Sequence, residues 1–192
     1  MTTREAIQQV TQQLKEELVV CTTGYTCREA QACNDRPKNF YMIGSMGIAA
    51  SIGLGVALSR PKISVVVFDG DGSVLMGLGS LATVGALAPQ NFLHVVFDNE
   101  VFASTGNQPT CSASVRLDAL ASAAGYRVVR RVTRAEEVTS TWRQVRFQPG
   151  PAFLLVKCRP DVGPPAERIR LEPEAITSRF MEAVHASSQS SS

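Results

Sequence analysis

Two stretches, ISVVVF at 63–68 and NFLHVVF at 91–97, are apolar almost without interruption, and SVLMGLGSLATVGALA at 73–88 between them has the length of a helix. Strands apolar on both faces belong to parallel sheets covered by helices, and the intervening helix supplies a right-handed crossover. The alternation continues in both directions. Ile7, Val10, Leu14 and Leu18 recur at helical spacing and predict an amphipathic helix over 4–18. LVVCTTG at 18–24 reads as a short strand entering a polar loop, REAQAC at 28–33 as a helix, and NDRPKN at 34–39 as the turn that ends it. FYMIGSMG at 40–47 predicts a strand with a glycine corner. IAASIGLGVALS at 48–59 predicts a helix whose small residues allow close approach to its neighbours. Further along come a helix near 114–124, a strand at 126–132, a helix over 135–147, a strand at 151–158 and a helix over 172–184. The expected fold is α/β: a doubly wound, mainly parallel sheet with helices on both faces.

Composition narrows this picture. A chain of 192 residues that is 44% hydrophobic builds one domain with a sizeable core, here placed at 1–185, with 186–192 as a serine-rich, disordered tail. The 19 basic and 17 acidic residues are interspersed, so no nucleic-acid or membrane surface is expected. The densest basic cluster, Arg127, Arg130, Arg131 and Arg134, lacks interleaved aromatics and reads as a solvated edge or a subunit contact. The N-terminal stretch MTTREAIQQVTQQLKEELVV carries charge where a signal peptide needs an apolar run, and no long apolar segment follows, which implies a cytoplasmic protein. Five cysteines, three of them six residues apart, do not match metal-ligand spacing and read as reduced thiols. With two histidines in the chain, one inside an apolar run, a histidine metal cluster or a Ser-His-Asp triad has little material.

The polar letters gather instead at strand ends: CTTGYT, IGSMG, FDGDGS and FDNEVFASTGNQ. In open α/β sheets ligands bind beyond the carboxyl ends of strands. Asp71 lies between Gly70 and Gly72, on a turn that leaves the backbone open to an approaching anion. Asn99 ends the next apolar strand. One carboxylate, one amide oxygen and a backbone carbonyl form a hard oxygen set of the partial kind that Mg²⁺ completes with phosphate and water. Asp69 and Asp98 sit at alternate phase and read as structural. GLGSLATVG at 77–85 has the glycines of a nucleotide-binding loop, but within a predicted helix rather than at a strand-to-helix turn.

GDGSVLMGLGSLATVGALAPQNFLHVVFDNEVF resembles the thiamine-diphosphate motif, in which GDG is followed by an Asn-containing pair, here Asp98-Asn99. TTGYTCRE, NFYMIGSMGIAASIGLGVAL and FASTGNQPT extend the likeness, over roughly 18–160, to the diphosphate-binding half of the phosphonopyruvate and sulfopyruvate decarboxylase group. A separate chain of about this length is similar to the β-type subunit of the sulfopyruvate enzymes.

The resemblance implies that Asp71, Asn99 and the carbonyl of Val101 ligate Mg²⁺. Gly70, Gly72, Ser73, Thr105 and Gly106 would hold the diphosphate, with Thr23 and Gly24 at the same end. Gly44, Ser45 and Met46 would line the rings, Met46 as the wedge that keeps the cofactor bent. Glu100 stands where glycine is common in the family. The glutamate that activates the pyrimidine belongs to a different domain in this family. Glu16 and Glu17, read as lying on a helix surface, and Glu29, at a helix start, read as solvated. No catalytic residue is therefore assigned to this chain, and a pyrimidine-binding α subunit is expected to supply the glutamate across a shared interface. The implied activity is decarboxylation of a small 2-oxo acid, 3-sulfopyruvate first on grounds of chain length. Phosphonopyruvate and a non-catalytic cofactor-binding subunit are the alternatives. Arg28 and Lys38 are candidates to meet the second anion of such a substrate, or else ordinary surface charges.

Overall fold

The computed structural model describes residues 1–189. Six strands, β1 (Leu18–Cys21), β2 (Asn39–Tyr41), β3 (Val65–Gly70), β4 (Phe92–Asp98), β7 (Val128–Val132) and β8 (Ala152–Lys157), form one sheet in the order β2-β1-β3-β4-β8-β7. Every neighbouring pair in it is parallel. A separate hairpin, β5 (Val101–Phe102) with β6 (Gln108–Pro109), is antiparallel. The helices are α1 (Thr3–Thr11), α2 (Tyr25–Asn34), α3 (Ala49–Ser59), α4 (Asp71–Met76), α5 (Gly79–Leu87), α6 (Leu117–Ala123), α7 (Ala135–Val145) and α8 (Pro173–Gln189).

Alternate residues of the central strands feed two cores, one on each face of the sheet. Val66 and Phe68 of β3 pack with Ile7 and Val10 of α1 and Trp142 of α7. Val65 and Val67 pack with Leu54 of α3, Val84 of α5 and Leu117 of α6. This is the doubly wound arrangement expected of strands apolar on both faces. The edge strand β7 turns Arg130 and Arg131 to solvent, which blunts an open edge against pairing with another chain.

Several boundaries differ from expectation for tertiary reasons. α1 opens with a capping box between Thr2 and Glu5 and ends at Thr11, whose hydroxyl bonds back to the Ile7 carbonyl at 2.8 Å. The chain then turns, so Glu16 and Glu17 lie beyond the helix. The helix expected over 73–88 is broken at Gly77 and Leu78 into α4 and α5. The cause is the loop before α3: a Cβ on Gly77 would lie 1.8 Å from the carbonyl oxygen of Gly47. α8 continues to Gln189, so residues 186–189 are helical where a disordered tail was expected; residues 190–192 lie outside the described part. Among the described residues no helix is long and apolar enough to cross a membrane.

The close approach expected of α3 is visible at Gly53, where a Cβ would stand 2.3 Å from Val67 Cγ2 and 3.2 Å from a ring carbon of Phe92. Alanine would gain about 1 kcal/mol of helix propensity there. Val67 is fully buried in a central strand and has no room to yield, so the clash outweighs the gain. Gly53→Ala is expected to lose roughly 1–3 kcal/mol, the range typical of overpacking, read as a lower urea midpoint at unchanged slope.

Candidate active site at the carboxyl edge of the sheet

The chain leaves β1 toward β2 on one side and crosses back to β3 on the other, so the order reverses between β1 and β3. Such a switch point opens a crevice at the carboxyl ends. Three corners meet there: Thr22 to Gly24 after β1, Gly70 to Ser73 after β3, and Asp98 to Val101 after β4. The hairpin β5–β6 arches over them and sets the Phe102 ring against Gly72. A Cβ at Gly72 would lie 2.4 Å from Phe102 Cε1 and 3.3 Å from Met46 Cε, so only glycine fits between these side chains. Gly24 takes φ +94°, which glycine alone adopts without strain.

Hydroxyls tie the corners together. Thr22 Oγ1 and Ser73 Oγ are 2.9 Å apart, and Ser73 Oγ accepts the Gly47 N–H at 3.1 Å, so the glycine loop after β2 is moored to α4. Asp71 is the first residue of α4 and 2% exposed. Its Oδ2 accepts the hydroxyls of Thr110 and Ser112, the latter at 3.0 Å. Ser112 Oγ also reaches Asp98 Oδ1 at 2.8 Å. Asp98 is balanced by Lys157, whose Nζ lies 2.8 Å from Asp98 Oδ2 and 2.5 Å from Glu100 Oε1. Burial opposes the Lys157 charge, but the two carboxylates prevail and hold its pKa above the usual lysine value. Asp71 has no such partner: among the described residues no cation lies within ion-pair distance of it. Burial above all, with the Asp98 charge adding to it, raises its pKa against the lowering effect of the two hydroxyls.

Asn99 Oδ1 accepts the Val101 N–H at 3.2 Å, and its Nδ2 donates to Thr3 Oγ1 at 3.1 Å. The amide oxygen therefore faces the Val101 side of the crevice. A buried carboxylate with no ion-pair partner among the described residues, sharing a cleft with the Asn99 amide and with Val101, suits a hard divalent cation.

One cleft of about 140 Å³ is lined by Thr23, Gly24, Met46, Gly70, Asp71, Gly72, Ser73, Asn99 and Val101. Gly44 and Ser45 instead line an adjoining apolar cleft of about 190 Å³ between the glycine loop and the start of α8. Thr105 and Gly106 stand on the outer, exposed turn of the hairpin, where Thr105 Oγ1 bonds to Gln108 at 2.8 Å; Ala103 and Ser104 occupy the cleft wall in their place. Thr3 and Ser112 carry no signal in the sequence beyond being polar, whereas Tyr25, Thr26 and Thr110 fall within CTTGYT and FASTGNQPT without being singled out there. Asp69 is structural, bonded to His94 Nε2 at 3.1 Å within the core.

Three glutamate readings are corrected by packing. Glu17 is 3% exposed and paired with Arg146, and Glu29 is 3% exposed, within α2, and paired with Arg4 at 2.9 Å. Neither is solvated, because each carboxylate is buried against an arginine that arrives from a distant segment. Glu16 is exposed, as expected, but lies in a turn and pairs with Lys38 at 2.5 Å. Lys38 precedes β2 and so belongs to the amino edge of the sheet, away from the cleft. Gly77 and Gly79 of the glycine-rich stretch mark the junction of α4 and α5.

Residues 21–156 match the family model of the thiamine pyrophosphate enzyme C-terminal TPP-binding domain. Over 185 residues the chain is 40% identical to the sulfopyruvate decarboxylase subunit beta of Methanothermobacter thermautotrophicus, covering 96% of each. It is 46% identical over 166 residues to the phosphonopyruvate decarboxylase of Streptomyces viridochromogenes, covering 86% of this chain and 42% of that one. The chain thus spans about two fifths of the length of the phosphonopyruvate decarboxylases it matches. The solved structure of benzoylformate decarboxylase from Polynucleobacter necessarius shares the fold with a TM-score of 0.68 at 19% identity, over 84% of this chain and 34% of that one. The chain belongs to the thiamine pyrophosphate enzymes and has the fold of their C-terminal TPP-binding domain.

Proposed function

We propose that this chain is the diphosphate- and Mg²⁺-binding part of a 2-oxo acid decarboxylase, and that a pyrimidine-binding partner chain completes the active site. The observation that carries the reading is Asp71: a carboxylate 2% exposed, at the switch point of the sheet, without a cation of its own among the described residues. Asp71, Asn99 and the Val101 carbonyl would hold a divalent ion, which would supply the missing charge and offset that of a diphosphate. Gly72 keeps the backbone bare where the diphosphate would approach. Ser73 and Thr22 present hydroxyls, and Met46 stands opposite Phe102 as an apolar wedge.

Bound thiamine diphosphate supplies a nucleophilic carbon that adds to the 2-oxo carbonyl and an electron sink for the departing CO₂. The residues of this chain would orient that group and hold the divalent ion that offsets its phosphate charge. No glutamate lines the cleft among the described residues, which supports a partner as the source of the one that activates the pyrimidine. Sulfopyruvate is the first substrate to test, because the likeness to the sulfopyruvate decarboxylase subunit runs along both chains. Phosphonopyruvate is the second reading, favoured by the higher identity to those enzymes.

Three outcomes are expected. With its partner, thiamine diphosphate and Mg²⁺, the chain releases CO₂ from 3-sulfopyruvate and alone it does not; release from neither 3-sulfopyruvate nor phosphonopyruvate, despite cofactor binding, would point to a non-catalytic subunit. Asp71→Asn abolishes Mg²⁺-dependent cofactor binding in calorimetry, yet the cofactor-free variant is more stable than the parent at pH 7. The sign follows from the raised folded-state pKa of Asp71. The ionised side chain costs stability above its folded pKa, and that cost vanishes as pH falls toward the ordinary carboxyl value of 3.8. The melting temperatures of variant and parent therefore converge in acid, and a variant less stable than the parent at pH 7 would count against an uncompensated Asp71. Met46→Ala lowers turnover by roughly 10-fold or more while cofactor affinity changes little, as expected of a group that orients a reactant rather than binds it; unchanged turnover would move the wedge to another residue.

A further inference from the structure

Beside the cleft lies a second cavity of about 350 Å³. Thr23, Gly24 and Ser104 line both, so the two are joined through the turn after β1. The second cavity is also lined by Arg28, Arg168 and Ile169. Elsewhere the arginines of this chain are often spent on carboxylates: Arg4 on Glu29, Arg116 on Asp118, Arg146 on Glu17, Arg179 on Asp35. Among the described residues no carboxylate lies within ion-pair distance of Arg28 or Arg168. Arg28 instead lies over the ring of Tyr25, 5.2 Å from its centre, and Tyr25 lines the cofactor cleft.

The meeting of these two arginines is built into the fold. Arg168 belongs to the irregular segment between β8 and α8, and that segment is stapled to α2 by the buried neighbour of Arg28. Glu29 accepts Arg4 Nε at 2.9 Å, Arg4 Nη2 at 3.0 Å and the backbone N–H of Ala166 at 2.8 Å. Arg4 closes the staple by donating to the Pro164 carbonyl at 2.7 Å, and its own N–H reaches Asp161 Oδ1 at 3.0 Å. A carboxylate 3% exposed with three donors from two other segments leaves α1, α2 and residues 161–166 little freedom. Ile169 is packed against the core on the far side of Arg168.

We infer that Arg28 and Arg168 form the subsite for a tetrahedral oxyanion, sulfonate or phosphonate, carried on C3 of the 2-oxo acid whose carbonyl reacts in the adjoining cleft. The inference rests on the proposed decarboxylase reading and adds to it the residues that select the substrate. Planar guanidinium groups suit such an anion because they donate paired N–H groups to two oxygens at once. An acid without the second anion, such as pyruvate, leaves the subsite unused.

The test is steady-state kinetics of the complex with 3-sulfopyruvate, phosphonopyruvate and pyruvate, for the parent and for Arg28→Gln and Arg168→Gln. Each variant is expected to raise KM for the doubly anionic substrate by roughly 10-fold or more, the weight of a charge-assisted hydrogen bond. Turnover of pyruvate and affinity for thiamine diphosphate should stay within about twofold, since neither touches the subsite in this assignment. Arg→Lys variants should recover part of the loss. The comparison of the two anionic substrates tells which oxyanion the subsite prefers. Equal losses with pyruvate, a loss of cofactor affinity in their place, or no loss at all would each overturn the assignment. If the parent complex decarboxylates none of the three acids, the decarboxylase reading fails, and the subsite is then judged by calorimetry on the full chain. Sulfoacetate or phosphonoacetate should bind more tightly than acetate, and the difference should vanish in both Gln variants. Binding no tighter than acetate, or binding that both variants retain, would overturn it independently.

Discussion

A hydrogen bond buried in the centre of the sheet, His94 Nε2 to Asp69 Oδ2 at 3.1 Å, fixes how β3 lies against β4, and the site depends on that register. Both side chains are almost fully buried, and the other His94 nitrogen reaches Tyr126 at 3.2 Å. Strands apolar on both faces give the hydrophobic effect little to choose between neighbouring registers, since a slipped valine is buried either way. A polar pair does choose. A slip of one residue would turn His94 to the opposite face of the sheet and strand two buried polar groups, each at a cost of about 1–3 kcal/mol. With the pair made, Val67 stands opposite His94 and Gly70 opposite Phe97. Asp71 and Asp98 then emerge side by side, close enough for Ser112 to bond both.

The two aspartates meet different fates in that shared environment. Lys157 answers Asp98 and leaves it a structural anion. Asp71 receives hydroxyls but, among the described residues, no cation, an arrangement that costs stability in the isolated chain. The expense is intelligible as preorganisation: a carboxylate already desolvated and aimed by Thr110 and Ser112 needs little rearrangement to accept a metal. Gly72 is fixed by packing: a Cβ there would collide with the Phe102 ring and crowd Met46, so only glycine lets the hairpin close on the start of α4.

Much of this was legible in the sequence because it rests on local or periodic causes. Unbroken apolar runs disclosed the central strands, and the length and small residues of 48–59 disclosed α3 within a residue of its observed start. Asp71 and Asn99 stood out because strand ends in such a sheet gather at one edge. What was missed depends on contacts between distant segments. The break between α4 and α5 exists because Gly77 meets Gly47, a contact that no helical period encodes. Glu17 and Glu29 look like surface charges until Arg146 and Arg4 arrive from other elements. The hairpin β5–β6 has two residues in each strand, too few to show alternation, so its outer turn at Thr105 and Gly106 was read as part of the cleft. Thr3, Thr110 and Ser112 belong to residue types so common on surfaces that only the fold singles them out.

The separation of the charges matches what each is proposed to bind. Around Asp71 the neighbours are hydroxyls, an amide and main-chain groups, which orient a carboxylate without neutralising it. An arginine placed there would pair with Asp71 as Lys157 pairs with Asp98, and the hard oxygen set would lose its capacity for a cation. The guanidinium groups of Arg28 and Arg168 stand one cavity away, beyond the turn at Thr23 and Gly24. Glu29 is kept from them because its oxygens are occupied by Arg4 and the Ala166 N–H. The described residues thus include a carboxylate without a cation and two arginines without a carboxylate on either side of one turn. The one carboxylate beside Arg28 in sequence, Glu29, is engaged by Arg4, and the one lysine at the Asp71 corner, Lys157, is engaged by Asp98 and Glu100.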